Sequence, residues 1–364
     1  MNSADNVTLR ILRTIGTPAA PSSNMFSPAP ETSQANQDYK IAYENRIGYL
    51  YLLSLPEGAI AGELAQALAS AKARELQTLE VVAAVSRTLH ARQYRHVIFK
   101  SIRPFPYLPN DTDVLVLEPP SRFAEITQHL LDSGYPLLGA APLQSLLYDP
   151  AGKGKVTAKK HGGTYYIDLY KAAGSDYFIY LDNAYAMRYV RELSVQGVQC
   201  PFLEAELELA VMLYHNIFPE NTFHLEHFYL TLYYLYGRAP FSLERFLMHV
   251  RRNRYTLPVR ANLTVTAVLH EKAFGYVPER LQELRAALGD SSREAQRFVA
   301  SDLRVPYYFR PATFLGTVLS RAMNGVSFRS LCVQGFHMLR PSFCAGAMRS
   351  LCHRLKGVGV YEQK

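Results

Sequence analysis

Pro109-Asn110-Asp111-Thr112-Asp113-Val114-Leu115-Val116-Leu117 is the stretch on which the reading of this chain turns. The β-rich apolar run from Thr112 to Leu117 reads as a buried strand. A strand sends alternate side chains to opposite faces, so Asp111 and Asp113 point the same way. Two carboxylates side by side at the start of a buried strand repel unless a cation stands between them. Magnesium takes carboxylate oxygens and substrate phosphates as ligands, which makes the pair a candidate metal site. A second strand, read from Thr164 to Tyr170, sets Asp168 among apolar and aromatic neighbours, where an acid is costly to bury without a partner. If the two strands adjoin, Asp168 completes a three-carboxylate cluster. Such a cluster can hold two metal ions about 4 Å apart, one activating an attacking hydroxyl and one bridging a triphosphate.

Working outward, His96–Phe99 is a short strand, and Lys100-Ser101-Ile102-Arg103-Pro104 is the turn that leaves it. Ser121–Gly134 has helical spacing with a serine to cap it and a glycine to end it. Tyr135–Leu138, Leu146–Asp149 and Phe178–Leu181 are further candidate strands, and Ala151–Lys155 is a Gly/Lys turn. Upstream, Asp38–Leu55 and Glu63–Arg92 carry helical periodicity. Beyond Pro201 the segments 203–218, 224–236, 243–251, 278–288 and 292–301 do the same, punctuated by prolines. The expectation is an α+β chain: a flexible segment over 1–36, helices over 37–93, a mixed-sheet α/β module over 94–200 and a helical domain over 201–364.

These residues resemble the polymerase-beta-like nucleotidyltransferase superfamily, and more narrowly its little-characterised prokaryotic branch. In that branch a Lys-Gly-type turn precedes a DxD strand. A helix with Gly-Tyr follows, then a hydrophobic-Asp-hydrophobic strand and a helix carrying a histidine. Gly134-Tyr135, Ile167-Asp168-Leu169-Tyr170 and Leu213-Tyr214-His215 stand here in that order, and the likeness spans roughly residues 40–235. The resemblance implies a nucleotidyltransferase-like fold. It also implies transfer of a nucleoside monophosphate from an NTP, such as ATP, to a hydroxyl or phosphate acceptor with release of pyrophosphate. Asp111, Asp113 and Asp168 would be catalytic and would bind Mg2+ or Mn2+, Asp168 also activating the acceptor hydroxyl. Lys100 and Ser101 occupy the turn that touches the triphosphate, and Arg103 adds charge beside it. The wider superfamily has Gly-Ser at this turn, where glycine lets the backbone approach phosphate.

The length of 364 residues and an apolar share of 48% permit a large core. The four cysteines, with no CxxC spacing, argue against a disulfide framework and fit a reducing cytoplasm. A zinc set of His337, Cys344, Cys352 and His353 matches no standard spacing. No signal-like block or membrane-length apolar run is present in the sequence. Residues 238–364 carry 20 Lys and Arg against 8 Asp and Glu, mostly as arginine, so RNA is a candidate acceptor beside a protein or small molecule. Lys153, Lys155, Lys159 and Lys160 form a basic run ahead of His161-Gly162-Gly163, next to the Asp168 strand. Two alternatives stay open: a catalytically degenerate fold acting as an antitoxin or partner-binding protein, and a nucleic-acid-binding protein working through its arginines. Oligomeric state is not legible.

Overall fold

The computed structural model describes residues 6–19, 32–149 and 165–339. Helices α1 (Val7–Ile15), α2 (Thr32–Glu44), α3 (Gly48–Ser54) and the long α4 (Glu63–His90) precede the sheet. Strands β1 (His96–Ile98) and β2 (Asp111–Val116) come next, followed by α5 (Phe123–Asp132), β3 (Leu137–Ala141), β4 (Gln144–Asp149) and β5 (Tyr165–Tyr170). A small hairpin of β6 (Ala173–Ser175) and β7 (Phe178–Leu181) leads through α6 (Asn183–Ala186) to β8 (Val190–Val195) and β9 (Val198–Leu203). Helices then dominate: α7 (Ala205–His215), α8 (Leu225–Tyr236), α9 (Leu243–Arg252), α10 (Thr256–Phe274), α11 (Glu279–Leu288) and α12 (Ser292–Ala300). Last come α13 (Pro311–Ala322) and α14 (Gly325–Met338), while β10 (Thr222–Phe223) and β11 (Tyr307–Tyr308) pair across this region.

Seven strands form one mixed sheet in the order β3-β4-β5-β2-β1-β9-β8. The α+β class with a mixed sheet flanked by helices is therefore as expected. Alternation along the strands splits the apolar residues between two cores. Ile98, Val114, Val116, Ile167 and Leu169 face α4 and α5, where Val82, Val85, Ile126 and Leu130 meet them. Val97, Phe99, Leu115 and Tyr170 face the other way, into a core shared with Leu12, Leu50, Leu209 and Leu263 of the helices. Asp111, Asp113 and Asp168 have the parity of Leu115 and Tyr170, so all three carboxylates belong to the side of the helical body.

Three features depart from the sequence expectations. Within the segment expected to be flexible over 1–36, residues 7–15 are helical. Asn6 caps this helix by accepting from Leu9 N at 3.2 Å, and Leu9, Ile11 and Leu12 are buried. The boundaries drawn at 94 and 201 do not separate cores, because one apolar cluster takes in α1, α3, β2 and α7, and β9 runs across residue 200. The hairpin β8–β9 was hidden by Pro201. It closes on Gln196-Gly197, both at positive φ (50° and 75°), as a two-residue turn requires. Thr164, the 151–155 turn, the lysines from 153 to 160, His161-Gly162-Gly163, Cys344, Cys352 and His353 lie outside the described residues. No helix among the described residues is long and apolar enough to cross a membrane.

Buried histidines make the fold acid-sensitive. Burial pushes His96, His227 and His249 each from the usual 6.5 down to about 4, so the fold holds them neutral. Their contribution is fully present above pH 6.5 and is lost as pH falls towards 4, by at most about 3 kcal/mol each. Urea unfolding midpoints measured between pH 7.5 and 4.5 should fall steadily below pH 6.5; a flat profile from 6.5 to 5 would refute the assignment.

Candidate active site

Strand register brings the site together. β2 runs parallel to β5, with Asp113 opposite Asp168 and Asp111 opposite Tyr166. β1 lies on the other flank of β2, antiparallel, and Phe99 N extends the pairing by donating to Asp113 O at 3.1 Å. The chain then turns sharply. Ser101 N donates to Phe99 O at 2.8 Å, and Lys100 between them sits at φ 62°, in the left-handed region that favours glycine. The turn thus has the backbone conformation of a glycine with the side chain of a lysine.

That side chain turns onto the carboxylates. Lys100 Nζ lies 2.9 Å from Asp113 Oδ1, 3.5 Å from the Tyr170 hydroxyl, and over the rings of Phe99 and Tyr170. Burial works against its charged form, but the Asp113 carboxylate outweighs this and holds its pKa above the usual value. Asp168 is anchored on its own strand and on β4, its Oδ2 accepting from the Tyr170 hydroxyl and from Gln144 Nε2, each at 3.3 Å. Asp111 is different. Half-buried at the mouth of β2, it has no hydrogen-bond or ion-pair partner among the described residues. Burial, then the charges of Asp113 and Asp168, push its pKa well above the usual carboxylate value, with Lys100 and Arg46 opposing. From α4, Arg74 donates to the carbonyls of Pro109 and Asn110 at 3.4 and 3.1 Å, fixing the entry to β2, and its guanidinium lies 4.4 Å from the Tyr165 ring.

The remaining turn residues are committed within the protein. Ser101 is buried, donates to Phe99 O at 3.1 Å and accepts from Asp113 N at 2.7 Å. The Lys100 amide donates to Glu208 Oε1 of α7 at 3.1 Å. Arg103 does not join the carboxylates: its Nη2 lies 2.9 Å from Glu226 of α8, with the guanidinium over Tyr107. His215, on α7, interacts with the Tyr180 hydroxyl through Nδ1 at 3.1 Å, and burial followed by nearby cations holds its pKa well below 6.5. Tyr170, Gln144, Glu208 and Arg74 were not anticipated. Only Tyr170 carried a sequence signal, lying two residues beyond Asp168 on the same strand face.

Among the described residues no three His, Cys, Asp or Glu side chains are gathered tightly enough to hold one metal ion as they stand. Asp113 is paired with the Lys100 ammonium, and Asp168 accepts two hydrogen bonds. The donor set still suits a hard cation, because magnesium is commonly held by one or two carboxylates, water and substrate phosphates. Scans of family models, curated proteins and solved structures find no match to this chain.

The Lys100–Asp113 pair is buried on both sides, so removing one partner leaves the other charge uncompensated. Lys100→Met should destabilise the protein by about 3–5 kcal/mol, and adding Asp113→Asn should recover most of that loss. A denaturation double-mutant cycle reads this out; additive effects would show that the pair is not coupled.

Proposed function

We propose that this protein is a metal-dependent nucleotidyltransferase that moves a nucleoside monophosphate from an NTP to a hydroxyl or phosphate acceptor. The observation that carries this reading is Asp111: a half-buried carboxylate without a hydrogen-bond or ion-pair partner among the described residues, in the field of Asp113, which is paired with Lys100, and of Asp168. A divalent cation among these carboxylates would favour the charged form of Asp111, which burial and its two acidic neighbours oppose. Asp111, Asp113 and Asp168 would hold Mg2+ or Mn2+, which would supply charge neutralisation for the triphosphate and make the attacking group more acidic. The chain's own residues do the rest. Tyr170 and Gln144 orient Asp168, which would accept the acceptor's proton. Lys100 supplies fixed positive charge at the carboxylate cluster, in a setting that is largely closed to water.

A second reading is supported by the turn itself. With the Lys100 amide on Glu208, the Ser101 hydroxyl within the turn and Lys100 Nζ on Asp113, Lys100 can serve as a built-in counter-ion. The fold would then bind a partner without turnover.

The two readings separate in one assay. The purified chain is incubated with each α-labelled NTP, with Mg2+ or Mn2+, and with RNA or the protein itself as acceptor. The transferase reading expects cation-dependent label transfer or pyrophosphate release, lowered at least about 100-fold in Asp111→Ala. No turnover with any NTP, together with nucleotide binding indifferent to divalent cations, would favour the counter-ion reading.

A further inference from the structure

We propose that the helical part of the chain carries a second, separate site: an arginine-lined groove that binds the phosphodiester backbone of a nucleic acid. One pocket of about 290 Å³ is formed where α10 meets the starts of α12 and α13, and is lined by Arg260, Arg293 and Arg310, by Ser291 and Thr313, and by one carboxylate, Asp290, that is paired with Arg285. A second pocket of about 380 Å³ adjoins it, sharing Leu257 and Arg260 and adding Arg251, Arg254 and Met323. Five guanidinium groups therefore line one continuous depression.

The charge there is uncompensated. Among the described residues, Arg251, Arg254, Arg260, Arg293 and Arg310 have no carboxylate within ion-pair distance of their side chains. The acids nearby are occupied. Asp290 is held by Arg285 at 2.7 and 2.8 Å, and buried Glu294 accepts from Tyr307 and Thr313 side chains and the Arg310 amide. Arg260 Nε is buried with no hydrogen-bond partner among the described residues. Ser291 and Arg310, the N-cap residues of α12 and α13, both line this pocket.

The shape of the arrangement selects the ligand class. A single phosphate would be satisfied by one pocket, whereas two joined pockets and five cations suit a chain of phosphates. Arginine's planar fork matches phosphate oxygens. No Phe, Tyr, Trp or His lines either pocket, so bases have no ring to stack on. The groove therefore reads backbone rather than sequence. It stands whether or not the carboxylate cluster transfers anything.

The test is fluorescence anisotropy of the full chain with a labelled RNA hairpin and a DNA duplex of equal length, over a salt series. Binding should weaken linearly in log–log form, with a slope of up to about 4.5 for five phosphate contacts on a duplex. R254A/R260A/R293A should lose at least about tenfold in affinity near 50 mM salt and about 2–3 from the slope. R251A/R293A, confined to exposed positions, should lose about 1–2 from the slope without a change in melting temperature. Asp111→Ala should leave binding intact, which separates this site from the fate of the transferase reading. An equal loss in R92A/R188A/R238A, which removes the same charge from exposed positions elsewhere, would overturn the proposal. So would nucleic-acid binding unchanged in both groove variants, or binding to anionic phosphatidylserine vesicles in place of nucleic acid.

Discussion

The contact between Lys100 and Asp113 is the constraint around which the sheet's inner face is arranged. Parallel pairing of β2 with β5 sets Asp113 beside Asp168 on one face, with Asp111 next along the same strand. Like charges on facing residues repel, and more strongly away from water than in it. The ammonium 2.9 Å from Asp113 offsets that repulsion from inside the protein. Reaching it requires a sharp turn with Lys100 in a conformation most side chains avoid. Three bonds hold the turn: the Lys100 amide on Glu208, Ser101 N on Phe99 O, and Asp113 N on the Ser101 hydroxyl. Removing the lysine would thus disturb charge and backbone together.

The same logic extends into the seam between the sheet and the helical body. Glu226 receives both Arg103 and Arg46, and Arg46 also reaches Glu220. Burial would raise the Glu226 pKa, but Arg103, His227 and Arg46 outweigh it and push the carboxyl down to about 2. Glu208 is shared between the Lys100 amide and the Tyr234 hydroxyl. These polar groups stand among apolar side chains, where an unmade bond is expensive. Their mutual satisfaction fixes α7 and α8 against the sheet face that carries the carboxylates. The helical body is therefore part of the site's construction rather than an appendage, which explains why the cores on either side of residue 201 merge.

What was legible in the sequence follows from how local each signal is. The Asp-x-Asp stretch and the Asp168 strand were readable because period-two alternation is a property of five or six consecutive residues. Their shared face followed from parity. Helix α10 was missed because Thr256–Phe274 is rich in Thr and Val, which favour strands, and carries Pro258. Its proline falls in the first turn, where a missing amide costs nothing, and burial of Val259, Leu263, Val265 and Leu269 overrides local preference. Helix α1 was invisible for a related reason: nine residues do not hold a helix alone, and this one depends on packing against α10 and on the Arg10–Asp38 pair. Arg103 looked like a phosphate contact because it lies near Lys100 in sequence. Its actual partner, Glu226, is 123 residues away, and nothing in the spacing announces it.

The placement of positive charge then distinguishes two kinds of cation in one chain. Lys100, Arg46 and Arg103 sit in the seam and are matched to acids, as burial demands. Arg251, Arg254, Arg260, Arg293 and Arg310 line the two pockets and have no ion-pair partner among the described residues, although Asp290 and Glu294 stand close by, tied to other donors. Cations in the seam need internal partners because they keep little of their hydration there. Cations left without partners in a concave surface keep their charge for something outside the fold. Among the described residues beyond 238, the basic side chains are therefore not spread evenly over a solvated surface. Five of them gather at one depression, and the acids that could have silenced them are engaged elsewhere.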